Sequence, residues 1–253
     1  MSHFTVAVFT NENKSVEELL APFHEFECTG INDEYVQDVD ITEDVKQRID
    51  DGESLEEALG YYGLEDRTVN SESEIDKADK HQYGYAIVQD GALIKAVDRT
   101  NPNKKWDWWS VGGRWNNMLI TKDGFRSNSA KVSDIDFETM KKDKIEDRKS
   151  AWNKYYAENQ GKEENDFLRS VIYGIPKEVK TLDQYLQLPA IPLTTYAAIT
   201  PDGNWHAPGE MGWWGVSSET DDQKKVFQEM YHEKLITPAI ENGWDITIVD
   251  CHI

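Results

Sequence analysis

Apolar and polar positions alternate at both ends of the chain. "HFTVAVFT" at residues 3–10 and "WDITIVDCHI" at 244–253 carry β-branched residues in that alternation and predict strands. "YGYAIVQDGALIKAV" (83–97) predicts a hairpin, because Asp90-Gly91 between two alternating arms is the strongest short turn signal. "ITKDGF" (120–125) repeats the Asp-Gly signal, and "PLTTYAAITPDGNWHAPG" (192–209) predicts another hairpin around Pro-Asp-Gly. Helical periodicity fills the intervals. Ser15 caps "SVEELLAPF", with Glu18 at the reciprocal capping-box position and Pro22 ending the helix; Ser54 and Glu57 repeat the device in "SLEEALGYYG", which Gly60 or Gly63 closes. Thr42 is the expected cap of "TEDVKQRID". A charged helix is expected from Asp136 to about Gln160, with Gly161 interrupting it before "EENDFLRSVIYG", and "TLDQYLQL" reads as a short helix. "SETDDQKKVFQEMYHEKLITPAI" reads as a capped amphipathic helix with Val226, Met230 and Leu235 among its buried positions.

Terminal strands, hairpins and helices in blocks, without βαβ alternation, predict an α+β fold. Its sheet is mostly antiparallel and includes both terminal strands, with helices packed on one side. No linker or repeat divides the chain, so residues 1–253 are read as a single domain with an acidic helical insertion at about residues 40–80.

Charge sharpens that insertion. The 253-residue chain carries 48 acidic side chains against 27 Lys plus Arg, a formal balance of -21. Between Glu25 and Asp79 there are 19 acids and 4 bases, a local balance of -15, whereas residues 80–253 hold 26 acids and 22 bases, or -4. A chain of this sign lacks the basic face that non-specific nucleic-acid binding requires, yet its second part leaves room for a local anion site. The charge run itself reads as a solvated face. Apolar runs stay well short of the ~20 residues of a membrane span, and the start lacks a basic leader with a small-residue cleavage site, so the expected location is the cytosol, with no membrane partner. Cys28 and Cys251 alone provide neither a disulfide framework nor a metal pair and are expected to be buried thiols.

Seven of nine tryptophans fall in two windows. "KKWDWWSVGGRWNN" holds Trp106, Trp108, Trp109 and Trp115; "DGNWHAPGEMGWWGVSS" holds Trp205, Trp213 and Trp214. A glycine pair lets backbone N–H groups approach a ligand closely, an arginine offers a planar fork to phosphate, and indoles offer stacking faces. Trp108, Trp109, Gly112, Gly113, Arg114 and Trp115 from the first window, with His206, Glu210, Trp213 and Trp214 from the second, are therefore candidate residues of a nucleotide pocket. The same residues also describe a strand-end turn with Arg114 lying flat on an indole of the core. His24, Glu25, Glu27 and Cys28 in "PFHEFECTG" could supply metal ligands or an acid–base pair, but their spacing matches no metal frame, so no metal or cofactor is expected. Cys251 and His252 read as structural. Phosphate-loop, dinucleotide, zinc-protease and serine-elbow motifs are missing from the sequence.

"MSHFTVAVF", "LAPFHEFECTGINDEYVQD", "WDWWSVGGRW" and "GNWHAPGEMGWWG" resemble a widespread set of tailed-phage proteins, over residues from near the start to about 220. Within that set the chain resembles the sponge proteins that sequester cyclic oligonucleotide signals of CBASS anti-phage immunity. The resemblance implies a phage counter-defence protein that holds a small cyclic nucleotide without cleaving it, and a homo-oligomer, in some relatives a tetramer. Two other expectations stand beside it. One is a hydrolase or nucleotide-modifying enzyme using His24, Glu25, Glu27, His206 or Glu210 as acid–base groups. The other is an acidic inhibitor that mimics nucleic acid through residues 25–79.

Overall fold

The structure is a computed structural model that describes residues 2–31, 33–161, 163, 165–212 and 216–253. In chain order, β1 (His3–Thr10) leads into α1 (Val16–Leu20), β2 (Gln37–Asp40), α2 (Thr42–Asp50), α3 (Leu55–Gly60), β3 (Thr68–Val69), β4 (Gly84–Gln89) and β5 (Ala92–Thr100). There follow β6 (Trp108–Val111), β7 (Leu119–Ile120), β8 (Arg126–Ser127), β9 (Ser129–Lys131), α4 (Phe137–Glu158), α5 (Leu182–Gln187), β10 (Ala197–Ile199) and β11 (Trp205–His206). The chain continues through α6 (Asp221–Tyr231) and α7 (Thr237–Glu241) to β12 (Asp245–His252). The class is mixed α+β with mostly antiparallel sheets, as the patterning predicts. No helix among the described residues is long and apolar enough to cross a membrane.

Both terminal strands lie in the middle of the main sheet, whose order is β11-β10-β1-β12-β6, with β9 also on β12. β1 and β12 pair antiparallel from His3 opposite His252 to Thr10 opposite Asp245, while β1 and β10 are parallel. Six consecutive positions of β1, from Phe4 to Phe9, are buried, so both faces of this sheet are apolar. One face carries Ala7, Phe9, Ile246 and Ile248 against Phe227, Tyr231, Leu235, Ile236 and Ala239 from the α6–α7 run. The other carries Phe4, Val6, Val8, Val249 and Cys251 against Leu19 and Leu20 of α1, with Phe23 and Trp106. The expectation of helices on one side is thus corrected: a strand apolar on both faces needs cover on both, and the short α1 with the aromatic loops supplies the second layer.

The acidic stretch contains its two helices, and it also contributes strand β3 to a second sheet of order β2-β5-β4-β3. Ile41, Val45, Ala58, Leu59 and Leu64 close a separate core on Ala86 and Ala96, which turns most of the acids outward. Asp90 (φ 51°) and Gly91 (φ 79°) both adopt the left-handed conformation that a two-residue turn between β4 and β5 requires. The capping boxes at Ser15 and Ser54 form as the sequence predicts. Thr42 does not cap: Ile41 holds that position, Asp40 accepts the Thr42 N–H, and the Thr42 hydroxyl accepts the Ala96 amide at 2.9 Å, tying α2 to β5. Of the expected buried positions, Leu235 is buried and Met230 packs half-buried on the core, but Val226 is not. Val226 is 63% exposed while Phe227 and Tyr231 are buried, and a π-helical stretch at His232–Ile236 resets the register ahead of Pro238, which has no N–H to continue the α pattern.

Candidate functional site

β6 runs along β12 with Trp108 opposite His252, Trp109 opposite Cys251 and Ser110 opposite Asp250. Alternation then separates the paired indoles. Trp109 joins Cys251 and Trp106 in the core beneath the sheet. Trp108 stays 44% exposed on the opposite face and stacks on the His252 ring, with centroids 5.1 Å apart and planes 20° apart. His3 meets both rings edge-on, 5.3 Å from Trp108 and 4.9 Å from His252.

Each imidazole is held by its own carboxylate. His3 Nδ1 lies 2.8 Å from Asp250 Oδ1, and His252 Nδ1 lies 2.6 Å from Asp107 Oδ1. A carboxylate only accepts, so each Nδ1 carries the hydrogen. Neither Nε2 has a hydrogen-bond partner among the described residues. His24 is different: its Nε2 lies 3.1 Å from the Asp107 carbonyl, its Nδ1 lies 3.4 Å from Glu27, and its ring stacks on Trp106.

The glycine pair explains how Asp250 is held. Gly112 and Gly113 have φ of 72° and 49°, and a Cβ on Gly113 would sit 2.3 Å from Asp250 Oδ2, while one on Gly112 would sit 2.5 Å from Asn128 Nδ2. Only glycine admits that approach. The Arg114 N–H donates to Asp250 Oδ2 at 2.9 Å, and the Gly112 N–H donates to the Ile248 carbonyl. The turn does bring one backbone donor, the Arg114 amide, to an anion, and that anion is the buried Asp250 carboxylate. The Arg114 side chain itself is exposed, with no ion pair among the described residues, so it is not packed into a core.

Past Arg114, the chain turns into a second feature. Trp115, half-buried on the helical core, begins the lining of a cleft of about 450 Å³. Asn116, Asn117 and Met118 continue that wall, Lys144 and Met140 of α4 form the other, and Arg126 reaches the rim on an ion pair to Asp143. Burial holds the Lys144 ammonium below its ordinary range, and the neighbouring Arg148 charge adds to the effect.

The described residues of the second window, Trp205, His206 and Glu210, do not line an aromatic pocket opposite the first. β11 lies at the sheet edge opposite β6, and Trp205 packs against Phe23 in the core at 4.9 Å. His206 Nε2 is 3.2 Å from the Thr200 hydroxyl. Glu210 is paired with Lys105 at 2.7 Å, and the cavity beside this ion pair is about 20 Å³, too small for a base. Trp213 and Trp214 lie outside the described residues. Glu25 pairs with Lys104, so the acid–base set read around His24, Glu25, Glu27, His206 and Glu210 is dispersed into separate local contacts. No three His, Cys, Asp or Glu side chains among the described residues come together as a metal-ligand set. Both cysteines are buried, and burial pushes both thiols up.

His3, Asp107 and Asp250 escape the sequence reading, and His252 appears there only as structural. The one signal is the Asp250-x-His252 spacing, which puts both side chains on one face of a strand; that His3 lies across from them depends on a pairing between chain ends. No family model matches the chain, and neither a curated protein nor a solved structure does.

Proposed function

We propose that the protein binds a small cyclic nucleotide signal at this sheet end and thereby withdraws it from the host's anti-phage immunity. The observation that carries the reading is the exposed Trp108 indole, fixed by its stack on His252, on the same strand-turn unit that presents the free Arg114 guanidinium. An indole face holds a base with about 1–3 kcal/mol, and a guanidinium fork suits a phosphate. The cleft of about 450 Å³ that starts at Trp115 has the size of an ordinary small-molecule site and offers Lys144 as a second cation. The phage setting and a homo-oligomeric state come from the resemblance carried by "WDWWSVGGRW" and "GNWHAPGEMGWWG".

Retention tests the reading. Purified protein is incubated with cyclic dinucleotides, freed of unbound ligand and denatured, and the released molecules are identified by mass spectrometry. Recovery of nucleotide is expected, with Arg114→Ala losing it at unchanged thermal stability. Absence of retention sinks the proposal; retention abolished by charge reversal within residues 25–79 and untouched by Arg114→Ala transfers function to the acidic face.

A further inference from the structure

We infer that Lys144 is a nucleophilic amine and that the cleft beside Trp115 captures a small anionic aldehyde or ketone on it as an imine. The inference goes beyond the nucleotide reading and stands without it. An ammonium in this place meets a phosphate, and the same nitrogen without its extra proton attacks a carbonyl carbon. The surroundings of the lysine carry the inference. The other half-buried lysines among the described residues, Lys77, Lys95 and Lys105, each meet a carboxylate, that of Asp38, Glu72 and Glu210. Lys144 is half-buried in the wall of a cleft of about 450 Å³ and has no hydrogen bond or ion pair among the described residues. Asp143 lines the same cleft but is drawn off by Arg126. Arg148 has the Leu188 and Pro189 carbonyls rather than a carboxylate for partners, so its charge acts on Lys144 unneutralised. Burial and a neighbouring cation both disfavour the ammonium, and they are the two influences that make a lysine nucleophilic. The charge is a cost to folding in this position, so stability does not account for it. Trp115, Met118, Met140 and Pro192 supply apolar surface for a flat carbonyl compound, and the guanidinium groups of Arg126 and Arg148 favour one that carries a carboxylate or phosphate.

The step balances with the carbonyl compound as the one co-reactant. The lone pair of the neutral Nζ bonds to the carbonyl carbon, and the π pair moves to the oxygen, which takes a proton. Nitrogen gives a proton back, the hydroxyl leaves as water after a second protonation, and the nitrogen lone pair closes the C=N bond. Asp147 lines the cleft one turn along α4 and is the carboxylate not engaged by Arg126 that can carry these protons. The adduct is one water lighter than its two parts, and water reverses it.

The experiment incubates the full chain at neutral pH with pyridoxal phosphate, a flat anionic aldehyde, and separately with pyridoxal, which lacks the phosphate. Borohydride fixes each imine as a secondary amine, and peptide mass spectrometry reads which lysines carry it and how fast. Lys144 is expected to be labelled at least about tenfold faster than the exposed Lys141, Lys142 or Lys149, and faster by the phosphorylated aldehyde than by pyridoxal. Raising the pH should bring its rate to a plateau earlier than theirs. Lys144→Met should lose the preferred label and keep the background on the exposed lysines. The order of labelling is read on the wild-type chain itself, so the test survives a variant that fails to fold. Labelling spread over the exposed lysines without preference for Lys144 overturns the inference. Equal rates with the two aldehydes overturn the assignment of an anionic ligand.

Discussion

At the scale of single residues, Arg99 binds the second sheet to the loop before it. Its Nε donates to Asp38 at 2.8 Å, its Nη2 to Asp33 at 3.0 Å and its Nη1 to the Gln82 carbonyl at 3.2 Å. Burial works to raise the Asp33 carboxyl, and hydrogen bonds from Thr29, the Gly30 amide and Arg99 more than offset it, so the group sits below its usual range. Asp38 is lowered in the same way by Lys77 and Arg99 against its burial. Carboxyls depressed by folding stabilise above their unfolded pKa of about 3.9 and lose that contribution as pH falls through the folded value. Chemical denaturation between neutral pH and pH 3 should therefore show stability falling at the acid end. Arg99→Met should cost about 3–5 kcal/mol at neutral pH, because it leaves the buried Asp33 carboxylate without its counter-charge while Asp38 keeps Lys77, and should flatten the acid dependence. Gly113→Ala belongs here too: its methyl would collide with Asp250, so loss of the folded signal or a large drop in Tm is expected, whereas Gly91→Ala, whose Cβ position is open, should lower Tm only through its positive φ. That glycines at 112 and 113 permit a close approach was legible from the sequence; that the group approached is a carboxylate from the last strand was not, because nothing local links residue 113 to residue 250.

At the scale of elements, hairpins and capping boxes were the readable part, since each is decided within a few residues. Asp90-Gly91, Ser15 with Glu18, and Ser54 with Glu57 all behave as their local chemistry dictates. On α6 only Val226 was misplaced, with Phe227 taking its place in the core, because the seam is set by packing on the sheet and by the π stretch before Pro238, neither of which is written in a 3.6-residue period. The correction can be measured. Phe227→Ala should cost about 3–5 kcal/mol in urea unfolding, and Val226→Ala should stay within about 0.5 kcal/mol; the reverse order would restore the sequence phase. On α4, Lys144→Met should leave the fold as stable or more so at neutral pH. Folding lowers that ammonium's pKa, so the charge is a cost below the folded value that fades as pH rises toward the ordinary 10.5.

At the scale of the whole molecule, the charge map divides as the sequence implies, with the excess of acids in and around the second sheet and the candidate site in the nearly balanced remainder. A net charge of -21 repels itself across a surface whose screening length is about 10 Å at 0.1 M salt, so Tm should rise from low salt to a few tenths molar sodium chloride. An unchanged Tm would mean that ion pairs lost to screening, such as those of Lys77 and Lys105, cancel the relief. The site was half legible at this scale. Trp108 and Arg114 stood out as composition, whereas the histidine–carboxylate pairs exist only because β1 and β12 meet, a contact between opposite ends of the chain that no local pattern encodes.

That meeting also governs how the protein comes to be. A ribosome delivers β1 first and β12 only after every other strand of the main sheet. β1 has no partner in the main sheet until β10 is made, and even then keeps an open edge on its other side until β12 arrives, while β6 and β9 have no strand to join. The nascent chain must carry an unfinished, apolar sheet edge until β12 emerges, a species prone to mispairing with other chains. Arrival of β12 closes that edge and creates both histidine–carboxylate pairs in one event, so gain of the site and loss of the aggregation hazard are the same folding step.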